Sequence, residues 1–322
     1  MGAPYLAAAH RTEVVPLRHV TGDDLMPVLE EETSTWRETL EWDFCPSAEL
    51  VLRFVNMHSL SGYALMVGGK LAGYAYYLSE DRKGLIGDVY VAKEHRTQEL
   101  ENQLLAAVLE ALREESVRRV ESQLMMLAGP IDRPMPLANY LRVFRRTFMV
   151  WDGSGPELKE GNAGERLLLE SWRDERHEEA SQLIGMAYHG HIDSQINDQY
   201  QSIAGARRFL LNIVQYPGCG RFYQPSSYLA FHKDTGQPCG LILGSLVAEN
   251  VGHITQVCVL PEMRGQGVGY ELMRNSMHQL REYGCRKITL TVTSCNESAI
   301  RLYESMGFRR MREFAAHVWD GF

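Results

Sequence analysis

An internal echo limits the possible folds of this 322-residue chain more than any single motif does. The stretch KGLIGDVYVAKEHRTQELENQLLAAVLEAL, from Lys83, lies on VGHITQVCVLPEMRGQGVGYELMRNSMHQL, from Val251, with a shift of 168 residues. Under that shift Val89 falls on Val257, Val91 on Val259, Arg96 on Arg264, Leu104 on Leu272, Leu112 on Leu280 and Val120 on Ile288. Upstream, SGYALMVGGKLAGYAYYL (61–78) matches SSYLAFHKDTGQPCGLILGSL (226–246), two apolar runs around a turn at Gly68-Gly69 or Asp234 to Gly236, which is a hairpin pattern. Agreement in strand, turn, strand, strand and helix, in order, points to a duplication. The Gly-rich, charged stretch DGSGPELKEGNAGE (152–165) reads as the linker, so the expected domains are 1–155 and 156–322, each of average size.

In the second half the pattern predicts a strand near 166–171, helices near 176–188 and 199–215, and strands near 227–232, 238–248 and 252–259. A helix over about 267–283 buries Val268, Leu272, Met273, Ser276 and Leu280 and stops at Gly284. The strand KITLTV (287–292), a short helix near 296–305 and a strand near 308–318 follow. Strands interleaved with helices, together with a hairpin, give an α/β (α+β) class with a mixed sheet in each half.

Composition excludes several functions. Hydrophobic residues at 45% and charged residues at 23% are those of a globular protein. A net charge of -8 argues against a nucleic-acid partner. Apolar runs such as GLILGSLVA (240–248) are too short to cross a bilayer, and MGAPYLAAAHR lacks the features of a signal peptide, so the expectation is a soluble, cytoplasmic chain without a membrane partner. The six cysteines are dispersed and read as reduced, mostly buried thiols.

The sharpest motif is Arg264-Gly265-Gln266-Gly267-Val268-Gly269, between a strand ending near Leu260 and an amphipathic helix. Glycines let the backbone approach a ligand closely, and the helix start offers free N–H groups to an anion such as a pyrophosphate. Arg264 can add a charge-assisted contact. The spacing is not the G-x-G-x-x-G of a dinucleotide fold, and the G-K-[ST] of a P-loop is absent. On the loop alone, an anion cradle and a ligand-free glycine turn stay open.

Context decides between them. The segment VCVLPEMRGQGVGYELM, followed by NESAIRLYESMGF (296–308), resembles the GNAT N-acetyltransferase superfamily. Arg264, Gly267 and Gly269 match its R/Q-x-x-G-x-G/A loop, and Asn296, Ala299, Leu302, Tyr303, Gly307 and Phe308 match its later N-x-x-A-x-x-L-Y-x-x-x-G-F segment. The resemblance implies two tandem GNAT-like domains, each a mixed, mostly antiparallel twisted sheet flanked by helices. It implies acetyl-CoA as co-substrate and a primary amine, of a small molecule, as acceptor. By the same resemblance residues 264–269 hold the pyrophosphate, and Val257, Cys258 and Val259 lie on a strand that splays from its neighbour beside the pantetheine arm. A backbone N–H there polarises the thioester oxygen. Tyr303 is the general acid for the leaving thiolate, and Asn296 serves as helix N-cap, CoA contact or both.

The base departs from the family pattern. Where many GNAT enzymes carry Glu or Asp in the strand before the glycine loop, GHITQVCV offers Thr255 and Gln256. His253 and Glu249 are the candidates, acting through water, and His189, His191 and Asp193 are further options. A metal at His189-Gly190-His191-Ile192-Asp193 is not expected, because no further ligand set accompanies it. Cys258 sits in an apolar strand without a basic neighbour and reads as a buried thiol rather than a nucleophile.

The 168-residue shift places Thr97, Glu99 and Glu101 where Gly265, Gly267 and Gly269 stand, so the first half lacks the cradle. The counterpart of Tyr303 is expected near Arg142 or Val143, after an insertion GPIDRPMP. Residues 1–155 hold 16 basic and 22 acidic residues against 17 and 19 in 156–322, so most of the acidic excess belongs to the degenerate half. The doubled layout with one working half also resembles mycothiol synthase. A CoA-responsive binding module without turnover is the alternative from another class.

Overall fold

The computed structural model describes residues 11–80, 82–216 and 218–321. The stretch MGAPYLAAAH, read above for a leader, lies outside them. The chain forms two compact units: one takes residues up to Thr39, Phe44–Val143 and those from Ala315 on, the other Leu40–Asp43 and Phe144–Phe314.

The elements of the first half are β1 (Thr12–Pro16), α1 (Gly22–Leu40), α2 (Cys45–Asn56), β2 (Gly62–Val67), β3 (Lys70–Glu80), β4 (Lys83–Val91), α3 (Gln98–Glu114), β5 (Arg119–Gln123) and β6 (Leu141–Trp151). Those of the second half are β7 (Leu167–Ser171), α4 (His177–Ala187), α5 (Asp193–Ile196), α6 (Ile203–Gln215), β8 (Arg221–Phe222), β9 (Tyr228–His232) and β10 (Pro238–Ala248). They continue with β11 (Val251–Val259), α7 (Val268–Tyr283), β12 (Lys287–Thr293), α8 (Glu297–Ser305) and β13 (Arg309–Asp320). The strands expected from the sequence of the second half all form, within a few residues of the expected ends.

In the first unit the strand order is β1-β2-β3-β4-β5-β13; in the second it is β6-β12-β11-β10-β9-β7, with β8 beside β10. The pairings are antiparallel except β4–β5 and β11–β12, which makes each sheet mixed and mostly antiparallel. The duplication is visible in the register. Lys83 pairs with Arg119 where Val251 pairs with Lys287, the same positions under the 168-residue shift. The last strands are exchanged: Trp151 of the first half pairs with Ile288, and Trp319 of the second half pairs with Val120. Each unit therefore holds the final strand of the other half, a feature on which the sequence boundary at 155/156 is silent.

Helix α7 shows why the sequence folds this way. Its apolar positions recur at helical spacing and bury Val268, Leu272, Met273, Met277 and Leu280, each worth about 1.5–3 kcal/mol of apolar burial. Gly284 ends it at φ 110°, a left-handed cap that a Cβ would penalise. The helix packs so closely on the sheet that a Cβ on Gly252 would lie 2.8 Å from Leu280, and α3 does the same in the first half, where a Cβ on Gly84 would lie 2.9 Å from Leu112. Helices α7 and α8 share one core with Met149 and Trp151, while α4 and α6 pack Trp172, Leu183 and Leu210 against Leu241, Leu243 and Cys258.

The Pro-rich segment before β6 corrects one expectation. The 168-residue shift holds from β5 to β6, so GPIDRPMP is no insertion, and the counterpart of Tyr303 is Met135, which is buried among Leu104, Val108 and Trp319. The segment is the α8 equivalent refolded without an α-helix. Pro130, Pro134 and Pro136 account for this, since each proline inside a helix costs about 3 kcal/mol.

Candidate active site

The second unit opens its sheet beside the glycine loop. Strands β11 and β12 pair only from Val251–Lys287 to Ile254–Leu290, whereas β12 continues beside β6 to Thr293. Among the described residues, 255–259 therefore have β10 on one side and no strand on the other. Val257 and Val259 turn their carbonyls to the open side, where these accept the Tyr188 hydroxyl at 3.4 Å and Arg264 Nε at 3.2 Å. The N–H and C=O of one extended residue point the same way, so their amides face the opening too.

The loop itself is shaped for close approach. Gly265 and Gly267 are left-handed, at φ 73° and 85°, and Gly267 is the N-cap of α7 without a side-chain cap. The first backbone bond of the helix runs from Glu271 N–H to Gly267 C=O at 3.1 Å, so the amides of Val268, Gly269 and Tyr270 precede it and can receive an anion. Gln266 is turned away, donating to Glu262 C=O at 2.8 Å. Arg264 spends its guanidinium on two carbonyls, Val259 and Ala187, the latter at 2.6 Å.

Several more elements bring side chains to this opening. Tyr188, just after α4, stacks on Tyr200 with ring centroids 4.3 Å apart. Gln256 lies between their hydroxyls, accepting from Tyr200 at 3.0 Å and donating to Tyr188 at 2.5 Å. Asp193 accepts from Thr293 Oγ1 and lies 3.5 Å from Arg146 Nη1, which also donates to Thr293 at 2.9 Å. Asp193 N–H donates to His191 Nδ1 at 3.2 Å, so a neutral His191 carries its proton on Nε2 as a donor. Burial lowers the His191 pKa, which favours that neutral form. Tyr303, on α8, is buried, and its hydroxyl has no hydrogen-bond partner among the described residues. Burial, then the Asp193 carboxylate, raises its pKa well above that of an ordinary phenol.

The structure separates the other expected residues. Asn296 caps α8, accepting Ala299 N–H at 3.3 Å. Cys258 faces the α4–α6 core, and burial pushes its thiol up to about 12, leaving no thiolate for a nucleophile. His253 is buried between Trp42 and Phe148, with Nδ1 2.8 Å from Thr289 Oγ1, and burial brings its pKa down to about 4. Glu249 is exposed in the turn joining β10 to β11. That is about 26 Å of extended strand from Val257, so Glu249 does not join the Tyr303 cluster. Among the described residues no group of three or more His, Cys, Asp or Glu side chains is arranged to hold a metal. Also among them, no helix is long and apolar enough to cross a membrane. Sequence reasoning missed Arg146, Thr293, Tyr188 and Tyr200. The tyrosines flank the HGHIDSQIND loop and could have been found as its rim, but Arg146 arrives on β6, from the other half of the chain.

The first unit closes its own counterpart of the cradle. Its strands part in the same place, β4 leaving β5 after Ile86–Ser122. The Thr97 side chain, however, caps α3, accepting Leu100 N–H at 3.2 Å. Glu101 is buried against Arg133 and accepts Ala128 N–H at 3.0 Å, while Arg133 donates to Ala128 C=O at 2.7 Å.

The model of the acetyltransferase (GNAT) family matches residues 24–126 and again 194–308, together more than half of the chain. The protein belongs to this family and carries its pattern in tandem. Similar proteins include N-alpha-acetyltransferase MAK3 of Arabidopsis thaliana, 31% identical over 97 residues, which are 29% of this chain and 50% of that one. A mycothiol acetyltransferase of Nocardiopsis dassonvillei is 41% identical over 81 residues, 24% of this chain and 23% of its own. Both matches thus span half or less of the relatives' length. Two solved structures match along nearly the full length. A GCN5-related N-acetyltransferase from Sphaerobacter thermophilus has a TM-score of 0.66 at 18% identity, covering 98% of this chain and 96% of its own. A tandem GNAT protein from the clavulanic acid biosynthesis pathway has a TM-score of 0.58 at 17% identity, covering 96% and 98%. At these identities the likeness speaks for the fold alone.

Proposed function

We propose that the second unit takes acetyl-CoA into the opening between β11 and β12 and transfers the acetyl group to a primary amine of a small molecule. The observation that carries this reading is the convergence on that opening of the glycine cradle, the free amides of Val257 and Val259, and the Tyr303 hydroxyl. Residues Gly265–Gly269 and the start of α7 suit the donor's pyrophosphate, and Asn296 stands at the start of α8 as a further contact. Bound there, acetyl-CoA supplies the acyl thioester.

The chain's own residues then divide the work. An amide of Val257 or Val259 donates to the thioester oxygen as charge grows on it. The amine nitrogen forms a C–N bond as the C–S bond breaks, and Tyr303 gives its proton to the departing thiolate. The amine's own proton goes to the acceptor side, where Asp193 is the carboxylate that acts on Tyr303 and His191 Nε2–H is a donor that can orient the acceptor. We assign this part to Asp193 rather than to His253 or Glu249: the first is enclosed and the second stands at the far end of β11.

The likeness to mycothiol acetyltransferases favours a mycothiol-synthase-like acceptor as the second reading. The full chain, given acetyl-CoA and a panel of primary amines that includes one carrying a thiol, is expected to yield an acetylated product. Cys219 and Cys295 are exposed, so product mass is a cleaner readout than a thiol reagent. Acetyl-CoA binding with no acetylated product from any amine would make the protein a binding module.

A further inference from the structure

We propose that Arg264 is a clasp that ties the glycine loop to the acceptor-side helix α4, and is not a ligand of the donor's phosphates. Its Nη2 donates to Ala187 C=O at 2.6 Å and its Nε to Val259 C=O at 3.2 Å. Ala187 is the last residue of α4, so its carbonyl has no partner within the helix and sits at the negative end of the helix dipole. A guanidinium is the side chain that best satisfies two such acceptors at once. Tyr188 follows directly, its hydroxyl reaching Val257 C=O and the Gln256 amide. One side chain thus joins the end of β11, the glycine loop and the first residue of the acceptor segment 188–193.

The first half supplies an internal control. Arg96 occupies the same position 168 residues earlier and donates Nε to Val91 C=O at 2.8 Å, the counterpart of the Arg264–Val259 bond. Its guanidinium lies 4.5 Å from the Tyr90 ring centroid. That half has Thr97, Glu99 and Glu101 in place of the glycines, with the Thr97 side chain capping α3, yet the strand-end bond persists. The task common to both arginines is therefore to hold the strand-end carbonyl. Only Arg264 adds a helix end, and with it a physical link from the loop that receives the donor to the segment that receives the acceptor.

The functional arm of this inference rests on the acetyl-donor reading, and its structural arm does not. Hydrogen exchange of residues 184–193 in the full chain, with and without CoA, tests both. In the wild type, CoA is expected to slow exchange of this segment. Arg264→Ala is expected to exchange it about tenfold faster without CoA, to lose the slowing by CoA, and to bind CoA within about threefold of wild type. Arg264→Lys, which can serve one carbonyl at a time, is expected to recover part of the protection. Unchanged exchange in Arg264→Ala would overturn the clasp. So would a loss of CoA affinity of about a hundredfold that pantetheine, lacking the pyrophosphate, does not share. If CoA fails to bind the wild-type chain, the donor reading falls, and the comparison without CoA still decides the clasp.

Discussion

The Gln256 amide donates to the Tyr188 hydroxyl at 2.5 Å, and that hydroxyl donates onward to the Val257 carbonyl at 3.4 Å. With Tyr200 donating to Gln256 at 3.0 Å, the amide is used at both ends. A neutral amide at this strand position fixes two phenols in place, whereas a carboxylate there would serve as a base. The position where many GNAT enzymes carry an acid thus holds a structural amide here, and in the proposed reaction the base comes from elsewhere.

Tyr188→Phe leaves the buried Gln256 N–H without its acceptor. The expected loss is about 1–3 kcal/mol of stability. Thermal or urea unfolding of the full chain measures it, and an unchanged midpoint would show that water or a rearranged Gln256 replaces the phenol.

Much of the fold was legible because periodicity and punctuation agree at each element: α7 has both its helical apolar spacing and Gly284 as a stop. The left-handed turn of the glycine loop was legible because glycine leaves a mark in sequence. Two features were not. The exchange of β6 and β13 leaves every local pattern unchanged, since both strands have the same register partners by symmetry, Trp151 on Ile288 and Trp319 on Val120. The Arg146–Asp193–Thr293 cluster depends on that exchange, because Arg146 rides on the transferred strand. Histidines at 189, 191 and 253 stood out by residue type, but only packing distinguishes an enclosed His253 from a half-buried His191 beside Asp193.

Gly267→Glu writes the first half's own residue, Glu99, into the second. The φ of 85° disfavours any side chain, and a Cβ would stand 3.1 Å from that of Ala163. The carboxylate would also face the incoming phosphates. CoA affinity is expected to fall by more than about a hundredfold, while Gly267→Ala loses less because it adds strain without charge. Calorimetric titration with CoA separates the two variants, and equal losses would make backbone strain the whole effect.

In the first unit Glu32 is fully buried, accepting the Tyr74 hydroxyl at 2.7 Å and the Trp36 indole N–H at 3.1 Å. Burial, and then the neighbouring Asp88 carboxyl, raises its pKa well above the usual range. The folded state thus keeps a proton that the unfolded chain releases above about pH 4.3. Its stabilising contribution is full below that value and is lost as pH rises through the raised one. Glu32→Gln keeps the acceptor for Tyr74 and cannot ionise. It is expected to match wild type near about pH 4 and to exceed it near about pH 8 in urea unfolding. A gain of the same size at both values would locate the effect in packing instead.

Tyr303→Phe isolates the proposed acid with little structural cost. The hydroxyl makes no hydrogen bond among the described residues, so its removal leaves no orphaned partner, and the ring keeps its place beside Phe308 at 6.1 Å. Burial and Asp193 hold the phenol protonated through the neutral range, the state an acid needs before the thiolate departs. The variant is expected to lose about 10²–10⁴-fold in kcat, with CoA affinity and the unfolding midpoint close to those of wild type. The split matters: a loss of CoA affinity would make Tyr303 a binding group, a loss of stability would make it a core aromatic, and an unchanged kcat would assign the thiolate's proton to water.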